Sequence, residues 1–419
     1  MLAYACSPGR GSEAEQGWRR AIASAQYFDT WVLCKQTSYD DITRHLEERK
    51  QAIKGLHVYP VPPTKLGEFL KKIPGCWFLF YNLWQRKAFR VARRLHKEVL
   101  FDLVHHGNIH TFREPGYLWK LDIPFVWGPV GGTENYPWRF LFDNGIKPAL
   151  SETVRAITNT VQLYCGYRIR RAARKAAAVL IANSVGLKDF HRVLGVKGVS
   201  MLDIGGHDIK ENIRTDDNEN WPLRLLWSGS FTHRKGLQLL IKALGNIRGS
   251  CSYELTILGD GPLCERWQRL ARRLKIDDSC HWLGWIPYDR VVTYYDSADV
   301  LVFTSLRDTS GSVIAEALSR GLPIICLENN GAADVINNSC GIKVPVTTVQ
   351  AVVDALGDAI RFLGGNREVL HGLRQGALTR ARDYGWSRHA DRLAAVYFQA
   401  IEKRERSSKP LKYDYDRGM

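Results

Sequence analysis

The chain predicts an α/β protein made of two facing domains with a cleft between them. Its 419 residues are too many for one ordinary core and suit two domains of roughly 150–200 residues each. Short β-branched runs alternate with longer helical stretches in both halves, which is the pattern of parallel strands joined by crossover helices. Between the halves, Gly205-Gly206, the polar run Asp216-Asp217-Asn218-Glu219-Asn220 and Trp221-Pro222 form a connection with no apolar periodicity.

In the first half the strands are expected at residues 30–34, 56–59, 103–105, 125–127 and 179–182, after a very short strand that ends before Pro8. Helices are expected at 15–27, 78–99 and 151–177. In the second half the strands are expected at 224–228, 253–258, 281–283, 300–304 and 323–327, again alternating with helices. The division follows as 1–206 for the first domain and 207–385 for the second, a last helix at 386–404 that crosses back to the first, and a charged tail, 405–419, expected to be disordered.

Composition narrows the class. The chain is 45% hydrophobic and 24% charged, which suits a globular protein. No apolar run approaches the roughly 18 residues of a membrane span, and the opening residues lack the basic and apolar regions of a secretory signal. A cytoplasmic protein is expected, peripheral on the inner face of the cell membrane. The nine cysteines are scattered, with no C-x-x-C pair and no His-x3-His cluster beside them, so they read as reduced packing residues and no metal site is expected. A net charge of +16 calls for an anionic partner: nucleic acid, anionic lipid or a phosphorylated substrate. No zinc-finger spacing, RNA-recognition aromatic motif or basic region joined to heptads is present, so nucleic acid is not expected.

In open parallel sheets ligands sit beyond the carboxyl ends of strands, so the loops there carry the motifs of interest. The strongest runs from Ser305 through Asp308, Gly311, Ser312 and Glu316 to Gly321 and Pro323. A strand ends near Thr304 and a helix opens after Gly311, whose small loop residues let backbone N–H groups approach a diphosphate. Glu316 lies about one turn further along, placed to accept ribose hydroxyls, and Asp308 sits at the loop tip, where a transferred sugar would lie. A plain strand–loop–helix with an acidic residue complementing the dipole would look similar on its own. A second loop, Gly229-Ser230-Phe231-Thr232-His233-Arg234-Lys235-Gly236, puts two cations at the start of a helix, the end of the dipole that disfavours them, unless they serve an anion. Gly259-Asp260-Gly261-Pro262 and Gly284-Trp285-Ile286-Pro287 are further turns after strands; Trp285 and Ile286 are placed to face a nucleobase.

Together and in this order the four loops resemble the second half of family 4 glycosyltransferases, closely over residues 224–345 and more loosely before them. The resemblance implies two Rossmann-like domains of the glycosyltransferase B-type fold. It also implies retaining transfer from a nucleotide-sugar to a glycan or polyprenyl-linked acceptor in surface polysaccharide synthesis, with no cofactor and no essential metal. It implies Lys235 on the donor phosphate, Glu316 on the ribose, and Gly259, Gly311 and Ser312 along the donor. Two positions depart from the family pattern. Asp308 stands where the first glutamate of E-x7-E is usual, and Ser230 stands where an arginine is usual, with Arg234 nearby to compensate.

In the first half, Arg10, Gly11 and Ser12 belong to a glycine-rich loop opening a helix, an anion cradle that the resemblance places near donor phosphate and acceptor. His105 and His106 end a strand where the family has an active-site histidine, His106 being the preferred equivalent. Gly131, Gly132 and Glu134 form a second acceptor-side loop. Arg86, Arg90, Arg93, Arg94 and Lys97 share one broad helical face after the aromatic run Trp77–Tyr81, an arrangement that suits an anionic membrane surface. Arg168, Arg170, Arg171, Arg174 and Lys175 form a second basic cluster. The alternatives are an epimerase or phosphorylase on the same scaffold, or a noncatalytic nucleotide-sugar binder.

Overall fold

The computed structural model describes residues 1–10, 12–50, 52–109, 111–206, 209 and 222–408. Among the described residues there are twelve strands: β1 (Thr30–Cys34), β2 (Leu56–Pro60), β3 (Val104–His106), β4 (Phe125–Val130), β5 (Ala178–Ile181), β6 (Val199–Ser200), β7 (Leu223–Ser228), β8 (Tyr253–Leu258), β9 (Cys280–Gly284), β10 (Val300–Phe303), β11 (Ile324–Leu327) and β12 (Gly341–Val344). Every pairing among them is parallel.

The first sheet is β2-β1 beside β3-β4-β5-β6, and the two parts are stitched by Leu2, which bridges Leu33 on one side and His106 on the other. The expected short first strand is therefore reduced to one bridging residue. The second sheet runs β12-β11-β10-β7-β8-β9. In both sheets the order reads outward in two directions from the first strand of its half, which is the doubly wound Rossmann order.

Both faces of each sheet are covered, so the strands read as continuous apolar runs. In the second sheet Leu225, Trp227, Ile257 and Val302 pack against the helices Leu237–Asn246 and Val349–Gly365. Leu226, Leu258, Leu301 and Phe303 point the other way, toward the helices Ser312–Ser319 and Arg367–Tyr384. In the first sheet Phe125, Trp127, Val179 and Ile181 face one core. Val126 and Leu180 face Leu393, Val396 and Tyr397 of the last helix, Trp386–Ser408, which crosses back onto this sheet.

Three expectations change. The helix expected at 151–177 is two helices, Ile146–Cys165 and Tyr167–Lys175, parted at Gly166, where a side chain would collide with the Gln162 carbonyl. The last helix continues to Ser408, so residues 405–408 are helical rather than disordered, and 409–419 lie outside the described residues. The aromatic run at the head of the Trp77–Val99 helix divides: Phe80 and Tyr81 are core, whereas Trp77, Phe78 and Leu79 are exposed. Most of the expected connection between the domains also lies outside the described residues.

Candidate active site between the two sheets

Strands β7 and β10 are neighbours at the point where the order of the second sheet reverses, and there the two loops that follow them meet. The loop after β7 closes in a short turn, His233–Lys235, before Gly236, whose φ of 67° and close approach to the Thr304 carbonyl admit no side chain. The two loops are tied together. The Leu306 N–H donates to the Arg234 carbonyl at 2.8 Å, and the Thr304 hydroxyl donates to the Lys235 carbonyl at 2.9 Å.

This bracing brings the Lys235 ammonium onto the Asp308 carboxylate, with Arg234 3.8 Å from the same oxygen and the Ser305 hydroxyl donating to it at 3.4 Å. Burial acts to raise the Asp308 pKa, but the Lys235 charge and hydrogen bond outweigh it and hold the carboxyl below its usual range. Beside this pair the helix Ser312–Ser319 opens at the cleft, which Gly311, Ser312 and Val313 line. The Ser310 hydroxyl, buried at that wall, has no hydrogen-bond partner among the described residues. Two cations, a helix N-terminus and an unused hydroxyl together form a site for a polyanion.

A cleft of about 600 Å³ separates this wall from the first domain, which contributes Trp77, Phe78, Arg113, Gly132, Arg155 and Asp203 among others. It adjoins a second cavity of about 720 Å³ through Gln16, Ile204 and Ser312, and Glu316 lines that second cavity. The Tyr295 hydroxyl donates to Glu316 at 2.7 Å and fixes its carboxylate.

The walls are held together by contacts that pattern and spacing do not announce. Glu152, buried on the Ile146–Cys165 helix, accepts two N–H groups of Arg307 at 2.9 and 3.1 Å and bonds His233 at 2.8 Å. Burial alone would raise its pKa; His233 and Arg307 override this and hold it at about 2. Asn183 donates to the Thr309 carbonyl at 3.0 Å, and the Ser184 N–H donates to Asp334 at 2.7 Å. Gly131 fits directly under the Thr309 side chain, where any Cβ would collide. Within the first domain Arg20, fully buried, donates to the carbonyls of Gly107 at 2.6 Å and Asp203 at 2.9 Å.

Of the residues read from sequence, Ser230, Arg234, Lys235, Asp308, Gly311, Ser312 and Gly132 line the cleft, and Glu316 lines the adjoining cavity. The histidines do not. His105 is buried, with Nε2 bonded to the Gly128 carbonyl at 2.6 Å and Nδ1 bonded to the Tyr397 hydroxyl at 2.5 Å. Gly128 can only accept, so Nε2 carries the proton and Nδ1 accepts from Tyr397. Burial, then the Arg20 charge, push the His105 pKa well below its usual value, and the ring stays neutral. His106 is also buried, 3.2 Å from the Tyr81 hydroxyl, and neither ring is among the cleft-lining side chains. Both histidines expected on the reacting sugar thus sit in the first domain's interior, outside the cleft lining.

Glu134 is not an open acceptor contact either. It is buried, engaged by Asn183 and by the Gly132 N–H at 3.0 Å, and its pKa is raised by that burial. Arg10 turns outward to Asp41 at 2.8 Å. Gly11 and the Ser12 side chain lie outside the described residues. Trp285 stands 76% exposed and Ile286 packs against the second domain's core, while Gly259 sits tightly on the Gly229 carbonyl.

Two Rossmann-like domains facing across a cleft, with an anion site at the switch point of the second, constitute the glycosyltransferase B-type fold. Solved structures share it. Sucrose-phosphate synthase from Thermosynechococcus elongatus superposes with a TM-score of 0.64 at 16% identity over 96% of this chain and 98% of that one. HepE of Anabaena, solved in complex with UDP, superposes with a TM-score of 0.60 at 14% identity over 94% and 97%. Residues 209–362, within the second half of the chain, match the family model of glycosyl transferases group 1. The amylovoran biosynthesis glycosyltransferase AmsK of Erwinia amylovora is 27% identical over 41% of this chain and 44% of its own. The chain spans about half the length of the curated relatives it matches.

Proposed function

We propose that the chain is a retaining glycosyltransferase that moves a sugar from a nucleotide-sugar to a glycan or lipid-linked acceptor in surface polysaccharide synthesis. The observation that carries this reading is the meeting of Lys235, Arg234, Asp308 and the Ser312–Ser319 helix N-terminus at the switch point. Bond breaking at the anomeric carbon places negative charge on the leaving diphosphate. Preorganised cations and N–H groups stabilise that charge as it develops. With this much positive charge supplied by the protein, the reaction as proposed needs no metal.

Asp308, paired with Lys235, would orient the donor sugar once phosphate takes over the ammonium. Glu316, fixed by Tyr295, would accept the ribose hydroxyls. HepE, solved with UDP, supports a uridine diphosphate donor. On the opposite wall Arg113 and Arg155 face the cleft, and the Arg155 pKa is lowered to about 10 by burial and by the charges of Arg307 and Arg113. Such crowding favours an acceptor bearing phosphate, as a polyprenyl-linked sugar does. No described helix is long and apolar enough to cross a membrane. A lipid-linked acceptor would instead be met at the surface of one.

A thermal-shift panel of UDP, GDP, ADP and their sugar conjugates, with and without chelator, tests the reading. Ligand at 100 times its Kd stabilises the folded state by about 2.7 kcal/mol. A shift with one nucleotide that survives chelator supports the proposal. No shift with any would overturn it, and binding without turnover would make the chain a noncatalytic binder.

A further inference from the structure

The Ile146–Cys165 helix buries polar side chains and exposes apolar ones. Its inner face carries buried Glu152 and Asn159 and half-buried Arg155, which lines the cleft, beside Ala149 and Leu163, while its outer face presents Ile146, Leu150, Val154, Ile157, Val161 and Tyr164 to water. These six are 47–78% exposed, far from the scattered single hydrophobics of an ordinary surface. They form one stripe about 27 Å long at the helical rise of about 1.5 Å per residue. Trp138 and Phe142, each 73% exposed, stand just before the helix, and Tyr167 stands just after it.

Charge says what covers this face. From residue 146 to 175 the chain has seven cations and one carboxylate, and that carboxylate, Glu152, is buried against Arg307. No exposed acidic side chain interrupts the stripe, and its ends are marked by Arg139 and Lys147 on one side and Arg171, Arg174 and Lys175 on the other. A second copy of the chain would fit poorly. Pairing two such helices in either direction sets cation clusters against cation clusters, and the apolar seam is shorter than the three or four heptads that sustain a coiled coil.

We propose that the Ile146–Cys165 face, with Trp138, Phe142 and Tyr167, lies in the interfacial layer of an anionic lipid bilayer. Apolar side chains enter the acyl boundary, aromatic rings sit at headgroup depth, and the flanking cations meet anionic headgroups. The inner face of the same helix lines the cleft through Arg155, so docking sets the acceptor wall against the membrane. This face is distinct from the cationic side of the Trp77–Val99 helix. The inference deepens the lipid-linked reading above, yet its test uses no donor, so either can fail alone.

The experiment is co-flotation of the full chain with vesicles of phosphatidylcholine alone and of phosphatidylcholine with phosphatidylglycerol in a seven-to-three ratio. The wild type is expected to float with the anionic vesicles. The triple variant Leu150→Glu, Ile157→Glu, Val161→Glu should lose roughly tenfold or more of that binding with unchanged circular dichroism. Reversal of Arg90 and Arg94 on the other helix should lose far less. Hydrogen exchange on the wild type, with and without anionic vesicles, provides a readout free of any folding defect and should show protection centred on 146–167. Unchanged flotation of the folded triple variant, protection confined to 77–99, or a dimer that the triple variant dissociates without any vesicle binding would each overturn the proposal.

Discussion

Lys235 and Asp308 close on each other at the carboxyl end of the second sheet, one from the loop after β7 and the other from the loop after β10. The carboxylate takes the place of an anion beside the ammonium. In the proposed reaction a donor diphosphate takes over that ammonium and leaves the carboxylate to the sugar. Lys235→Ala should therefore lower kcat/KM by roughly 10²–10³-fold, the range for loss of one charge-stabilising donor. Its fold should persist by circular dichroism, with some loss of thermal midpoint because Asp308 loses its ammonium partner. Steady-state kinetics with the nucleotide-sugar found by thermal shift make the comparison; near-normal turnover would remove Lys235 from the proposed chemistry.

Glu316 and Tyr295 form a positioning pair. Glu316→Ala should weaken donor binding, whereas Tyr295→Phe, which keeps the carboxylate but frees it from the 2.7 Å hydrogen bond, should weaken it less. Removal of a hydrogen bond to a charged group corresponds to about 1.5–3 kcal/mol. Calorimetric titration of both variants with the nucleotide alone should order them in this way, and equal effects would count against a positioning role for the tyrosine.

Acid should part the domains. Glu152 sits in the first domain with a folded pKa of about 2 against an ordinary 4.5, held by His233 and Arg307 of the second. A depressed carboxyl pKa contributes stability that is fully present above 4.5 and is lost as pH falls from 4.5 toward 2. At full effect this is of order 3 kcal/mol. Small-angle scattering across that window should show the radius of gyration rising, and Glu152→Gln should abolish most of this pH dependence while opening the cleft at neutral pH.

His105 titrates with the opposite chemistry and the same direction. Its folded pKa lies well below the ordinary 6.5, so the unfolded chain binds the extra proton first as pH falls below 6.5. Stability should decline by about 1.4 kcal/mol per pH unit from there down to the folded pKa. Tyr397→Phe removes the partner of Nδ1 and should cost about 1–3 kcal/mol by denaturant unfolding at neutral pH. Transfer activity at saturating donor should persist, since His105 does not line the cleft.

Gly131 and Thr309 should show strong coupling. Gly131→Ala introduces a Cβ into the Thr309 side chain and should hold the walls apart, lowering kcat/KM. Thr309→Ala in the same chain should recover much of the loss. Additive effects in the double-mutant cycle would mean that the contact does not set the closed arrangement.

The second domain was readable because its signals are local. The strand at 253–258 is bounded in the structure as in the sequence, and the Lys235 and Asp308 loops announce themselves by glycine and charge after apolar runs. In the first domain, β4 runs past its expected end because Gly128 and Pro129 break the apolar pattern but not the strand, and β6, two exposed residues long, has no pattern at all. The roles of His105 and Glu152 were out of reach for a different reason. Tyr397 lies 292 residues from His105, and Arg307 lies 155 from Glu152, so what each group does is set by tertiary partners that no spacing rule connects.

Gly206 and Gly385 pair side by side, and the Gly206 N–H donates to the Tyr384 carbonyl at 2.7 Å. The chain thus leaves the first domain and prepares to return to it at one shared spot. A joint pinned along a single edge permits rotation and resists sliding, like a door rather than a drawer. Any turning of one domain about that spot would have to break the contacts of Glu152 with Arg307 and of Asn183 with Thr309, which makes those contacts the latch and the paired glycines the pin.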